Sequence, residues 1–299
     1  MSERIILQRH QSIISKLRRK PLNFEQLQDY LQVRSEISGY RLTCSLRTFQ
    51  RDIDQIKTFH NIVIEYNPSQ KVYEIVKDEN EEQHERLMEA FEVYNALNLS
   101  NSFSASLILE KRKALGTDNL YGLLHAIKSR REVSFKYRTF YEDSVSERLV
   151  QPVAVKEARN RWYLLCRDKK DEVFKSFGLD RIADLEITNR KFGEIQEYDP
   201  EEAYRYSFGI INGTGEKPQK VELSFTPREG RYIKSLPLHY SQQLVKETET
   251  ETIFRYNLIP TYDLRMEILS YGDQVEVLKP VSLRKQIKEQ LESARKVYK

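Results

Sequence analysis

Arg161-Trp162-Tyr163-Leu164-Leu165-Cys166-Arg167, a polar loop Asp168 to Glu172, then Val173-Phe174-Lys175-Ser176-Phe177-Gly178-Leu179-Asp180-Arg181-Ile182 is the stretch on which the fold turns. Two runs rich in aromatic and β-branched residues flank a polar loop of the length that joins antiparallel strands. Period-two alternation on the second run puts Val173, Lys175, Phe177 and Leu179 on one face and Phe174, Ser176 and Gly178 on the other. Lys175 therefore shares a face with apolar neighbours. With Arg181 just past the strand and Trp162 and Tyr163 on the partner, the hairpin predicts an aromatic and basic pocket for an anion that carries a π-face.

Before the hairpin, Val133, Phe135 and Tyr137 alternate with Ser134, Lys136 and Arg138, and Arg148 to Lys156 reads as a further strand in which Pro152 marks an edge or a bulge. At least four short antiparallel strands result, the material of a small barrel. The candidate ligand-binding residues are Tyr137, Arg148, Trp162, Tyr163, Lys175 and Arg181. Core packing is the competing account of Tyr137, Trp162 and Tyr163, and a local ion pair with Asp180 is the competing account of Arg181.

After the hairpin, Gly209 to Pro218 is a linker whose glycines lack the spacing of a phosphate loop, so flexibility is the expected role. Beyond it the periodicities predict strand (Lys220 to Phe225), helix (Arg228 to Leu236), strands (Gln243 to Glu247 and Thr252 to Ile259), helix (Tyr262 to Tyr271) and strand (Gln274 to Leu278). This split βαβ order predicts a ferredoxin-like α/β sandwich. A last helix carries Leu283, Ile287, Leu291 and Ala294 on one face.

The N-terminal part differs in charge. Residues 1–60 hold eleven Lys or Arg against six acids, so this segment is +5 within a chain of net charge +4. A basic end on a nearly neutral chain suits one small domain that meets phosphate. Ile6, Ile13 and Leu17 predict a first helix that stops at Pro21. Asn23 and Gln26 form a capping pattern for a second, with Phe24, Leu27, Tyr30 and Leu31 inward. Ser45 is the N-cap of a third, with Leu46, Phe49, Ile53 and Ile56 on one stripe. Ile62 to Tyr66 and Lys71 to Ile75 then predict a hairpin with a turn at Asn67-Pro68-Ser69-Gln70. The segment from Arg34 to Cys44 is long for the turn of a helix-turn-helix. Candidate DNA contacts are Ser45, Arg47, Thr48, Gln50, Arg51, Lys57 and, on the hairpin, Lys71. The alternative is a helical scaffold whose cations are merely solvated.

Asp78 to Glu85 is an acidic break. Leu87, Phe91, Tyr94 and Leu97, then Leu120, Leu123, Leu124 and Ile127, predict linker helices that serve either a dimer contact or burial against the barrel. No run approaches the length of a membrane span, and no secretory signal is apparent, so a cytoplasmic location is expected. Cys44 and Cys166 stand apart without metal-ligand spacing. The five histidines are scattered and no nucleophile, dinucleotide or metalloprotease pattern is present. No enzymatic activity, cofactor or metal is expected.

Two resemblances draw these readings together. The Trp162-Tyr163-Leu164 triplet, Lys175-x-Phe177-x-Leu179-Asp180-Arg181-Ile182, Tyr137 and Arg148-x-x-x-Pro152 resemble the WYL domain of bacterial transcription regulators. Pro237-Leu238-His239-Tyr240-Ser241-Gln242 and Leu269 to Leu278 resemble the extension that follows it. Ser45-Leu46-Arg47-Thr48-Phe49-Gln50-Arg51-Asp52-Ile53 resembles the recognition helix of winged helix-turn-helix repressors. The resemblance implies an α+β multidomain chain: a winged helix-turn-helix (1–77), a helical linker (78–131), an Sm-like, SH3-type small β-barrel (132–208) and a C-terminal extension (217–299). The function expected is a ligand-responsive regulator of transcription that binds double-stranded DNA as a homodimer. Its effector would be a nucleotide, a cyclic dinucleotide or a single-stranded nucleic acid. An accessory module that binds single-stranded nucleic acid or another ligand without reading an operator is the alternative.

Overall fold

A computed structural model of the chain describes residues 3–78, 90, 93, 115–140 and 143–298. The chain divides into two compact units, 1–111 and 112–299. Leu87, Phe91, Tyr94 and Leu97, on which the first linker helix was read, lie outside the described residues.

In the first unit, helices α1 (Glu3–Arg19), α2 (Phe24–Ser38) and α3 (Leu46–His60) precede a hairpin of β1 (Ile62–Asn67) and β2 (Val72–Asp78). The caps fall where the sequence puts them. Asn23 and Gln26 make the reciprocal capping box, and the Ser45 side chain accepts from the Thr48 N–H at 3.2 Å. α2 runs on through Ser38 and ends at Gly39 in the left-handed conformation (φ 72°), which leaves residues 39–44 as the connection to Ser45. The long turn is thus partly helix. Phe49 packs against Phe24 of α2 and Tyr73 of β2, ring centres 5.3 and 4.9 Å away, so the apolar stripe of α3 fastens both the preceding helix and the hairpin. Leu22 and Tyr73 exchange backbone hydrogen bonds of 3.1 and 2.7 Å and tie the hairpin to the chain before α2.

The second unit starts with α4 (Leu120–Ser129) and a five-stranded antiparallel sheet of β3 (Arg131–Arg138), β4 (Val145–Ala158), β5 (Arg161–Asp168), β6 (Val173–Gly178) and β7 (Ile182–Lys191), in the order β6-β5-β4-β3-β7. Leu123 and Ala126 of α4 share one buried core with Val133, Phe135, Tyr137, Val150, Leu164 and Phe177. Burial against the sheet accounts for Leu120 and Leu123 of the α4 stripe, whereas Leu124 is exposed. Pro152 lies in the middle strand β4 and not on an edge. Pairing with β3 ends at Val150, and the register with β5 shifts between Pro152 and Ala154, so the missing N–H falls next to a bulge and beyond the last pair with β3.

A short helix, α5 (Pro200–Tyr204), leads to the C-terminal elements: β8 (Gln219–Phe225), α6 (Pro227–Ser235), β9 (Gln243–Glu247), β10 (Thr252–Leu258), α7 (Tyr262–Ser270), β11 (Val275–Lys279) and α8 (Val281–Val297). The antiparallel sheet runs β11-β8-β10-β9. Its helix-covered face buries Leu223, Phe225, Phe254 and Tyr256 against Ile233, Leu264, Ile268 and Leu283. On the opposite face Glu222 holds Arg255 and Lys279 at 2.8 and 3.0 Å, which makes that side polar.

Candidate nucleic-acid interface and effector site

The first two turns of α3 sort their charges by direction. Arg47, Gln50 and Arg51 are exposed, and among the described residues neither arginine has an ion-pair partner. Asp52 is fully buried, its carboxylate held by Arg9 of α1 at 2.6 and 3.0 Å with His10 Nε2 3.5 Å away. Burial alone would raise the Asp52 carboxyl, but the nearby His10 and the hydrogen bonds and charge of Arg9 bring it below its ordinary range. Of the adjacent pair Arg51-Asp52, the base therefore faces out and the acid serves the core. Thr48 is half-buried and its hydroxyl lies 3.0 Å from Ser45 Oγ, so Ser45 is spent on capping. Lys57 is exposed in the last turn, and Lys71 is exposed at the hairpin turn with φ 56°.

In the sheet of the second unit the predicted cations divide into two places. Arg148 Nη1 and Lys175 Nζ both donate to Asp168 Oδ2, at 3.1 and 2.8 Å. Asp168 is fully buried and also accepts from the Lys170 N–H at 3.0 Å. The ladder explains the meeting: Val150 and Lys175 pair with Asp168 and Cys166 respectively, so both cations sit on diagonals of one acid. Lys175 also bridges to Asp171. These two cations are neutralised within the fold. Burial works against the Asp168 carboxylate, yet Lys175 and the Lys170 N–H keep its carboxyl below the usual range.

Arg181 stands elsewhere. It lies in the 3-10 turn Leu179–Arg181 after β6, its guanidinium 5.0 Å from the Tyr137 ring centre and 5.3 Å from that of Phe140, a ring 66% exposed. Among the described residues Arg181 Nε has no hydrogen-bond partner. The expected partner Asp180 is 4.0 Å away and is bound instead by Arg161 at 2.8 Å. Tyr137 is buried and accepts from the Gly178 N–H at 3.3 Å, and Trp162 packs against the core of the five-stranded sheet; both serve packing. Tyr163 is half-buried. Burial raises its hydroxyl pKa while the charges of Arg161 and Arg181 oppose that, so Tyr163 lies within electrostatic reach of the Arg181 cluster. Sequence reasoning missed Phe140 and Arg161 at this place. Their signal was an aromatic residue just past β3 and a base at the start of β5.

A cavity of about 400 Å³ opens along the free edge of β6. Tyr137, Lys175 and Phe177 reach it from the strands, Tyr198 and Tyr204 from the segment after β7, and Ile210, Ile211 and Asn212 from the linker. Phe174 and Tyr198 stack at 4.0 Å and 8° and separate it from a neighbouring cavity of about 490 Å³. Among the described residues no group of His, Cys, Asp and Glu is arranged to hold a metal ion, and no helix is long and apolar enough to cross a membrane.

Against known families, residues 118–187 match the WYL domain and residues 217–295 match the WCX domain. The two matched stretches follow one another along the chain. The WYL match begins before β3 and takes in α4, in keeping with the shared core. No curated protein sequence matches the chain. Similar solved structures include proteasome accessory factor B/C (PafBC) of Arthrobacter aurescens, at 17% identity and TM-score 0.35, covering 96% of this chain and 46% of that one. A CRISPR Cas-related protein matches at 14% identity and TM-score 0.39, covering 62% of this chain and 53% of that one. The chain spans about half the length of each.

Proposed function

We propose that the chain is a ligand-responsive, DNA-binding regulator of transcription. The observation that carries this reading is the sorting of charge on α3: in its first two turns the acid is locked inward by Arg9, while Arg47, Gln50 and Arg51 face outward without ion-pair partners among the described residues. Guanidinium and amide groups at the start of a helix suit base edges and phosphates. We read α1 to α3 with the β1–β2 hairpin as a winged helix-turn-helix, the five-stranded sheet as an Sm-like barrel, and the β8–β11 sheet with α6 and α7 as a ferredoxin-like sandwich. A homodimer would give one small reader a two-fold operator. Selection of bound sequences from a random duplex library, using the full chain, tests the reading. A two-fold symmetric consensus is expected, and recovery of unselected sequence would refute operator recognition.

The effector in this reading is a phosphate-bearing ligand with a base to stack: a nucleotide, a cyclic dinucleotide or a short single strand. Arg181 is its phosphate contact, because Arg148 and Lys175 are occupied by Asp168, and Phe140 is the exposed ring beside it. Replacing Arg181 by Ala should change stability by less than about 1 kcal/mol, since Asp180 keeps Arg161. Stabilisation by added nucleotide should disappear. A melting curve with and without nucleotide reads both. A loss of roughly 3–5 kcal/mol, the cost of stranding a buried charge, would instead make Arg181 structural.

A further inference from the structure

The linker after α5 is fastened, contrary to the flexibility expected from its glycines. Asp263 lies in the first turn of α7, and its Oδ2 accepts the N–H groups of Ile210 and Ile211 at 2.9 and 3.0 Å. Gly209 has φ 95°, and a Cβ there would come within 2.6 Å of the same oxygen. Glycine alone lets the carboxylate approach. Gly213 (φ 55°) lies as close against Ile259, where a Cβ would meet Cγ2 at 2.5 Å. Ile259 in turn donates its N–H to the Tyr206 carbonyl at 2.9 Å. Between these two glycines lie Ile210, Ile211 and Asn212, the linker's contribution to the 400 Å³ cavity.

We propose that residues 209–215 form a strap across the 400 Å³ cavity beside β6, which shares Tyr137 with the Arg181 cluster, and that Asp263 is the positioning residue through which occupancy of the cavity is felt by the C-terminal domain. The proposal rests on the reading of the barrel as an effector site. Ile210, Ile211 and Asn212 line the cavity, and the amides of the two isoleucines end on one carboxylate of α7. One turn further along α7, Glu267 pairs with Arg159 of the β4–β5 turn and accepts from the Tyr271 hydroxyl at 3.0 Å. The helix thus grips the barrel at the strap and at a hairpin turn. The charge of Asp263 also acts on the Tyr163 hydroxyl, so the same acid stands near the Arg181 cluster. Contacts at both points make α7 the element that a shift of the strap would load.

Amide hydrogen exchange on the full chain tests this, with Asp263→Ala, Asp263→Asn and a short 5′-phosphorylated oligothymidylate as the probe. Without probe, the Ala variant should exchange the Ile210 and Ile211 amides about 10- to 100-fold faster, the effect of losing hydrogen bonds to a charged acceptor. The Asn variant keeps a carbonyl acceptor and should stay near the parent. With probe, the parent should be protected in β6, in the strap and in α7, whereas the Ala variant should be protected in β6 alone. Equal exchange of the two amides in all three proteins overturns the strap. Undiminished protection of α7 in the Ala variant overturns the coupling. If the probe protects nothing in the parent, the nucleotide reading fails and the coupling with it, while the probe-free comparison still decides whether Asp263 sets the strap.

Discussion

Replacing Asp52 by Ala is expected to cost the N-terminal unit roughly 3–5 kcal/mol, because it breaks a buried ion pair by removing the carboxylate that the Arg9 guanidinium bonds twice. Both side chains are fully buried and joined by two hydrogen bonds. Against a typical domain stability of about 5–15 kcal/mol, this is a large share of the margin. The neighbouring Arg51→Ala should change stability by less than about 0.5 kcal/mol, as an exposed side chain with no ion-pair partner among the described residues does. Urea unfolding followed by amide exchange in α1 and α3 separates the two. A double variant, Arg9→Met with Asp52→Leu, should recover much of the loss, since buried ion pairs are often replaceable by apolar residues of similar volume. The same pair sets an acid limit. The Asp52 carboxyl is depressed in the folded state, so its contribution is fully present above the ordinary carboxylate pKa of about 3.9 and is lost as pH falls through the lower folded value. Unfolding of this unit at a pH well above the carboxylate range would contradict that assignment.

Local signals in the sequence reported local structure well. Ser45 and Asn23 are caps because a side-chain oxygen needs only the next turn's N–H, and both positions could be read without knowing the fold. The stripe Leu46, Phe49, Ile53 and Ile56 likewise requires only a helix, although Leu46 at its start is exposed. What the chain brings together from afar was harder to read. Arg148, Asp168 and Lys175 meet because three strands pair in one register, and no spacing along the chain announces that diagonal. Asp168 was read as loop, yet it ends β5 fully buried, so the two cations assigned to a ligand were already matched. Strand β7 was missed for a related reason. Ile182–Lys191 mixes acids and bases with only three apolar branched residues and pairs with β3 through two register shifts, which blurs a period of two. The strap was misjudged because Gly209 and Gly213 look like freedom in a sequence. In the fold they are positions where the backbone runs against Asp263 and Ile259 too closely for a side chain.

The second large effect concerns the outward face of the same helix. Replacing Arg47 and Arg51 together by Ala should weaken binding to the selected duplex by roughly 2–4 kcal/mol, about 30- to 1,000-fold, if each arginine makes one good contact. Gln50→Ala should instead relax the consensus at one or two base pairs and leave the salt dependence alone, because an amide reads bases without releasing counterions. Thr48 should do less than Gln50, since its hydroxyl is turned towards Ser45. Lys57 and Lys71 are exposed cations on the last turn of α3 and on the hairpin turn. Their loss should lower affinity evenly across sequences.

The most direct measurement is the affinity of the parent and of the Arg47→Ala/Arg51→Ala variant for the selected duplex across a series of salt concentrations. Each phosphate contact contributes a slope of about −0.9 in log K against log salt, so the variant's slope should be shallower by about 1.8 if both arginines reach phosphate, and by about half that if one reads a base. The weakening should come with unchanged stability. A variant that binds as tightly as the parent, with the same salt slope, would contradict the assignment of α3 as the helix that reads DNA.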